Sequence, residues 1–286
     1  MMGLAAALLA GYLTGVRRVR RSGGTWSAGR VWAFVAIGLG GLVYATMGWL
    51  GVYQGYLFYA RAGQTVMLVL VVPLFLAMGR PITLAITAWP GLDRPVRTVI
   101  GSRVARVLTF PAITTLALVA VPMVMYFTTW YTAVFHSATV RELTYLALMA
   151  PGFAFFWTLL RVDPVPKAYS YGVSMWITAA EVIGDAFFGL AIIADTNLIG
   201  GPYYRGLAAP WNQGLATKQV IGGGVIWILG DMVGLPFLAA QLIQLMREDK
   251  QEADAIDAEL DAREATDSAP DSPWWQTDPR FTDRFR

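Results

Sequence analysis

Long apolar runs separated by short basic segments set the pattern of this chain. A helix needs about 20 mostly apolar residues to cross the bilayer core. Seven stretches approach or reach that length: 2–16, 31–50, 57–78, 107–130, 143–160, 171–194 and 220–246. The pattern predicts an all-α, polytopic membrane helical bundle of about seven transmembrane helices, the first being the shortest. Residues 1–246 form the bundle in this reading, and residues 247–286 an acidic cytoplasmic tail, helical at first and then disordered.

Loop charges orient the bundle. Segment 17–30 carries Arg17, Arg18, Arg20, Arg21 and Arg30, and segment 79–106 carries Arg80, Arg94, Arg97, Arg103 and Arg106. Segment 161–170 adds Arg161 and Lys167, whereas 51–56 and 131–140 hold no Lys or Arg and 195–219 holds only Arg205 and Lys218. The positive-inside rule then puts the N-terminus outside and the C-terminus in the cytoplasm of a cell inner (plasma) membrane. Segment 94–106 alternates basic and apolar residues at helical spacing, as an interfacial helix would.

Finer features refine the spans. Pro73, Pro122, Pro151 and Pro236 lie inside them, where neighbouring helices can satisfy the freed carbonyls. Gly11 and Gly15, and Ala180 and Gly184, make small faces for close contact inside the chain. Trp49, Tyr53, Tyr56, Trp130, Tyr131, Tyr203, Tyr204 and Trp211 fall at the expected outer ends as an aromatic belt. Trp274, Trp275 and Phe281 sit on the terminal arm.

Composition agrees and excludes. The chain is 56% hydrophobic and 14% charged, against about 25% charged for soluble domains. It has no cysteine, so it has no thiolate ligand or nucleophile, and His136 is its single histidine. No cleavable signal peptide is evident. The net charge of +3 conceals 16 basic and 7 acidic residues in 1–246 against 6 basic and 12 acidic in 247–286. The arginines lie in short loops between spans, which does not suit a nucleic-acid partner.

Ionisable groups inside spans are costly and usually paired or functional. Here they are Arg61, Arg141, Glu181, Asp185, Asp195 and Asp231, with Gln64 and Glu142 nearby. Glu181 and Asp185 share one helix face. By depth, Arg61 and Arg141 are expected to face Asp185 as an ion-pair network, with Glu181 one turn deeper. Separate snorkelling of each arginine is the plainer alternative. An aspartyl protease site fits poorly around Asp185 and Asp231, and the last span lacks the lysine of a retinal protein. An acid-relay transporter stays open, without the paired broken helices of common transporters.

Several blocks resemble the CtaG-type cytochrome c oxidase assembly proteins, in the actinobacterial form. They include Tyr12, Gly24, Trp26 and Arg30, the run VYQGYLFYARAGQTVMLVLVVPLFLAMGRPITLA, and RELTYLALMAPGFAFFWTLLRVDPVP with Gly152, Phe156, Trp157, Asp163, Pro164 and Pro166. SYGVSMWITAAEVIGDAFFGLA, and then Gln219, Gly223, Trp227, Gly230 and Asp231, continue the match. The resemblance implies a non-enzymatic membrane factor for oxidase assembly, with oxidase subunits or other assembly factors as partners. The family's copper-associated histidines fall here on Arg61, Thr65, Arg141, Tyr145, Ala147 and Asp185. A guanidinium is no copper ligand. The expected polar network is therefore Arg61, Gln64, Arg141, Tyr145, Glu181 and Asp185, with no catalytic residue, no metal site and no cofactor. A copper chaperone using Met67, Met123, Met125 and Met149 is the alternative.

Overall fold

The computed structural model describes residues 1–166, 170–207 and 213–266. Lys167, Trp211, Trp274, Trp275 and Phe281 lie outside these residues. Two compact units are present, Met1–Gln241 and Leu242–Arg286.

The first unit is all helix among the described residues. We number the helices of the chain α1 (Met2–Arg21), α2 (Ala28–Tyr53), α3 (58–78), α4 (Pro81–Ala88), α5 (Asp93–Ile100), α6 (Arg103–Leu108), α7 (Pro111–Phe127), α8 (Trp130–His136), α9 (Ala138–Leu160), α10 (Tyr171–Ala194), α11 (Gly201–Gly206) and α12 (Leu215–Thr266). Five segments are long and apolar enough to cross a membrane: α2, Phe58–Ala88, α9, Gly172–Ala194 and Leu215–Ala262. The pair α7–α8, bent by 73°, makes a sixth when counted as one span. The seventh expected span, α1, has the length but carries Arg17, Arg18, Arg20 and Arg21 in its last turns. On length and composition, the described residues therefore hold five such spans, or six with the bent pair, and α1 is not among them.

Glycines let the helices approach. Gly38 of α2 meets Leu76 of α3, and Gly79 meets Phe34, so a Cβ on Gly79 would come within 2.6 Å of the Phe34 side chain. Pro73 cannot donate to the carbonyl of Val69, four residues earlier. Gly152 of α9 sits over that carbonyl, where a Cβ would stand 1.9 Å from its oxygen. The chain widens to π-helical turns just before Pro73, over Met67–Val71, a common response to a disturbed helical ladder. Gly15 packs on Leu84 and Trp89, and Gly184 on Val119. Gly11 meets nothing within 4 Å and Ala180 is exposed, so only one residue of each expected small pair makes the contact.

One end of the bundle is clasped by residues that the sequence blocks singled out. The Tyr12 hydroxyl donates to the Gly79 carbonyl at 2.8 Å and accepts from Trp26 Nε1 at 3.2 Å. Asp163, 6% exposed, accepts from the Ile82 and Thr83 amides at 3.1 and 2.8 Å. It thereby caps the first turn of α4, whose preceding residue Arg80 has a left-handed backbone at φ 53°. A carboxylate at a helix N-terminus satisfies orphan amides and opposes the helix dipole. Nearby, the arginines of α5 and α6 are exposed, and Arg97 pairs with Asp93 at 2.7 Å.

The aromatic belt is only partly peripheral. Trp49 and Tyr56 are each 43% exposed, but Tyr131 and Tyr204 are buried and share a hydroxyl–hydroxyl hydrogen bond of 2.8 Å. Burial raises the Tyr204 phenol above its ordinary value, so it acts as a neutral partner. In the second unit, residues 247–262 are exposed and mostly charged, the composition of a solvated helix.

Candidate functional site

Arg61, in the first half of α3, is completely buried. Its Nη1 donates to Gln54 Oε1 at 2.9 Å and to Gln64 Oε1 at 2.6 Å. Its Nη2 lies 3.0 Å from the Met125 sulfur of α7. The two glutamines are themselves held. Gln54 Nε2 donates to the Tyr145 hydroxyl of α9 at 2.6 Å and to the Gly51 carbonyl at 2.9 Å. Gln64 Nε2 donates to the Ala45 carbonyl of α2 at 2.6 Å. Thr65 bonds back to the Arg61 carbonyl at 3.0 Å and meets the Tyr126 hydroxyl at 3.2 Å.

Local sequence explains this gathering. Gln64 is one turn after Arg61 on the same helix, so the two side chains meet by helical spacing. Gln54 precedes the extended residue Leu57, which folds the Gln54 segment back over the head of α3. Tyr145 enters from the second turn of α9. Residues from four segments therefore enclose the guanidinium with amide, phenol and thioether groups. Phe58, Tyr131 and Tyr126 close the cluster with ring contacts of 5.1–5.8 Å.

The expected ion pairs are not formed. Among the described residues, the ion pairs within 4 Å are Met1 ammonium–Glu142 and Arg97–Asp93. Arg61 is taken by the two glutamines. The α10 residue that reaches the Arg61 neighbourhood is Phe188, edge-on to Tyr126 at 5.4 Å, rather than Asp185. Asp185 is turned toward α12, where a Cβ on Gly230 would lie 2.6 Å from its Oδ2. Glu181 likewise abuts Gly234, with 3.2 Å between Oε2 and a Cβ built there. Arg141 is half-buried in the first turn of α9, without a side-chain hydrogen bond or ion pair among the described residues. Its neighbour Glu142 takes the terminal ammonium. Ala147, two residues past Tyr145 on the same helix, is partly buried and supplies no polar atom.

The structure thus joins Arg61, Gln64, Thr65 and Tyr145 and sets Glu181 and Asp185 in a second cluster. It adds Gln54 and Tyr126, which the sequence reading passed over, and Met125, which that reading named only as a possible copper ligand. Gln54 was detectable as a lone amide at the head of an apolar run. Gly230 and Gly234 were detectable as a small-xxx-small pair in the last span.

The donor set bears directly on metals. Among the described residues no three His, Cys, Asp or Glu side chains gather as metal ligands. Around Arg61 the groups are a permanent cation, two amides, a phenol and one thioether already facing Nη2. A guanidinium repels a metal cation and offers it no lone pair. These residues do not fit copper. His136 is exposed and set edge-on to the Tyr203 ring at 5.7 Å.

The profile of the cytochrome c oxidase caa3 assembly factor family (Caa3_CtaG) matches residues 10–248. Uncharacterized proteins of Mycobacterium bovis and Mycobacterium tuberculosis are each 28% identical over 276 residues, covering 93% of this chain and 42% of theirs. One from Mycobacterium leprae is 27% identical with the same coverage. The chain spans about two fifths of the length of these curated relatives. No solved structure matches. The chain belongs to the cytochrome c oxidase caa3 assembly factor family.

Proposed function

We propose that this member of the caa3 assembly factor family is a multi-pass protein of the cell inner (plasma) membrane that helps assemble the respiratory cytochrome c oxidase as a scaffold, without enzymatic activity. Its partners are oxidase subunits or other assembly factors, met within the bilayer. The family match over residues 10–248 carries this reading, since it covers nearly all of the helical bundle.

The reading extends to the metal: the copper site suggested by the resemblance is degenerate. Its support is the neutral hydrogen-bonded cage that holds Arg61 at a position where the family resemblance implies a histidine. A methionine site is disfavoured by the Met125 sulfur facing Arg61 Nη2. The proposed topology has α1 as a seventh span, N-terminus outside and C-terminus in the cytoplasm. At 20 residues α1 is about 30 Å long, enough to cross.

The test is affinity purification of the full chain from its native membranes, followed by partner identification and metal analysis. Oxidase subunits or their assembly factors should copurify, with copper far below one equivalent. Stoichiometric copper would overturn the degenerate site. Oxidase assembling normally in a deletion strain would overturn the scaffold role. The absence of native cysteine permits single-cysteine labelling from either side to test the topology.

A further inference from the structure

The inward face of α10 changes chemistry halfway along. Its buried positions run Ser174, Thr178, Glu181, Asp185, Phe188 and Ile192. Steps of four and three place all six on one stripe of the helix. The first four are polar and the last two apolar. Glu181 is 2% exposed and Asp185 8%. Both lie flush against the glycines of α12, and Asp231 follows Gly230 along that helix with its Oδ1 buried.

This cluster lacks hydrogens. No Lys, Arg or His nitrogen of the described residues lies within 4 Å of these three carboxyl groups. Glu181 Oε1 and Asp231 Oδ1 are buried without a hydrogen-bond partner. An independent side chain shows the same deficit. Gln241 is 3% exposed, and its Nε2 donates to the Thr178 hydroxyl at 2.8 Å, which holds the amide on the stripe one turn from Glu181. Its Oε1 has no donor. Thr178 spends its own hydrogen on the Ser174 carbonyl at 3.1 Å. Buried acceptors without donors, and buried carboxylates without cations, are costly enough that a ligand supplying hydrogen and positive charge is called for. A metal ion needs its ligands to converge on one point, and these do not.

We propose that Glu181 and Asp185 form an intramembrane proton-binding site, loaded along the Ser174–Thr178–Gln241 stripe from the end of α10 where Arg161, which follows α9, meets Ser174. Each proton passed from hydronium forms an O–H bond on a carboxylate oxygen, releases water and removes one negative charge. It also creates a donor where only acceptors stand. Among the described residues, the neighbouring elements add no competing charge. α12 contributes Asp231, Gln241 and two glycines, and α7 contributes Val119 against Gly184. Arg161 bonds Ser174 Oγ at 2.9 Å at the far end of the stripe. Arg61 is enclosed in its own cage beyond Phe188 and Tyr126. Phe188 and Ile192 end the polar stripe, so the site fills from one side and acts as a proton store rather than a channel. This holds whether or not the chain assembles an oxidase.

The test is infrared spectroscopy of the full chain in lipid nanodiscs, titrated across neutral pH in H2O and D2O. The expected result is a protonated-carboxyl C=O stretch at neutral pH that shifts down in D2O and is reduced or lost in Glu181→Gln. Thr178→Val should keep the band but slow its shift in D2O severalfold. Carboxylate bands alone at neutral pH in the wild-type chain would overturn the site, whatever the variants do. So would a band unchanged in both Glu181→Gln and Asp185→Asn. An unaltered exchange rate in Thr178→Val would overturn the loading path.

Discussion

Gln64 ties the Arg61 guanidinium to the neighbouring helix, accepting from Nη1 at 2.6 Å while donating to the Ala45 carbonyl of α2 at 2.6 Å. One amide thus satisfies a buried cation and a backbone acceptor together. Both atoms are out of reach of water, since Arg61 and Gln64 are each 0% exposed.

Gln64→Leu should therefore be strongly destabilising. It leaves the guanidinium with Gln54 as its only oxygen acceptor and orphans the bond to Ala45. Hydrogen bonds to charged groups contribute about 1.5–3 kcal/mol, so a loss in that range is expected in reversible unfolding in detergent. Arg61→Met removes the cation with its need for partners and should suppress much of the Gln64→Leu cost.

The separation of Arg61 from Asp185 has its own measurable consequence. A double-mutant cycle on Arg61→Met and Asp185→Asn should give additive losses, within about 0.5 kcal/mol. The cycle on Arg61→Met and Gln64→Leu should show coupling of about 0.5–3 kcal/mol. Strong coupling in the first cycle would restore the ion pair that the sequence suggested.

Gly152→Ala should prevent stable packing of α9 on α3. The new methyl would stand 1.9 Å from the Val69 oxygen and 2.9 Å from Pro73 Cγ. Backbone cannot yield as a side chain does, so the penalty should exceed the ~1–3 kcal/mol typical of overpacking. Gly11→Ala meets nothing within 4 Å and should be near neutral. Yield of monodisperse protein after extraction compares the two.

Asp163→Asn should weaken the cap on α4. The carboxylate accepts from two amides and the Thr83 hydroxyl. Asparagine can still accept but loses the charge opposing the helix dipole, so a loss of about 1 kcal/mol is expected. Asp163→Ala should cost more. Amide hydrogen exchange at Ile82 and Thr83 reports the effect locally.

Hydropathy and loop charge already determine that the chain is a helical membrane bundle, because a span must satisfy its backbone internally and be apolar for some 20 residues. Its blocks also suffice for the family, and its few polar residues within apolar runs mark where chemistry lies. Gln64 stood out beside Arg61 in the sequence and Tyr145 through the family resemblance, and the structure brings the three together. Depth could not tell which way Asp185 turns. That is set by rotation of α10, which carries Phe188 to Tyr126 and lays Asp185 on Gly230. Nor could it show that Gln54 returns over the head of α3 to take the place assigned to a carboxylate. Partner choice among buried polar groups depends on helix rotation and loop return. Those follow from the fit of distant glycines and rings, which no local pattern encodes.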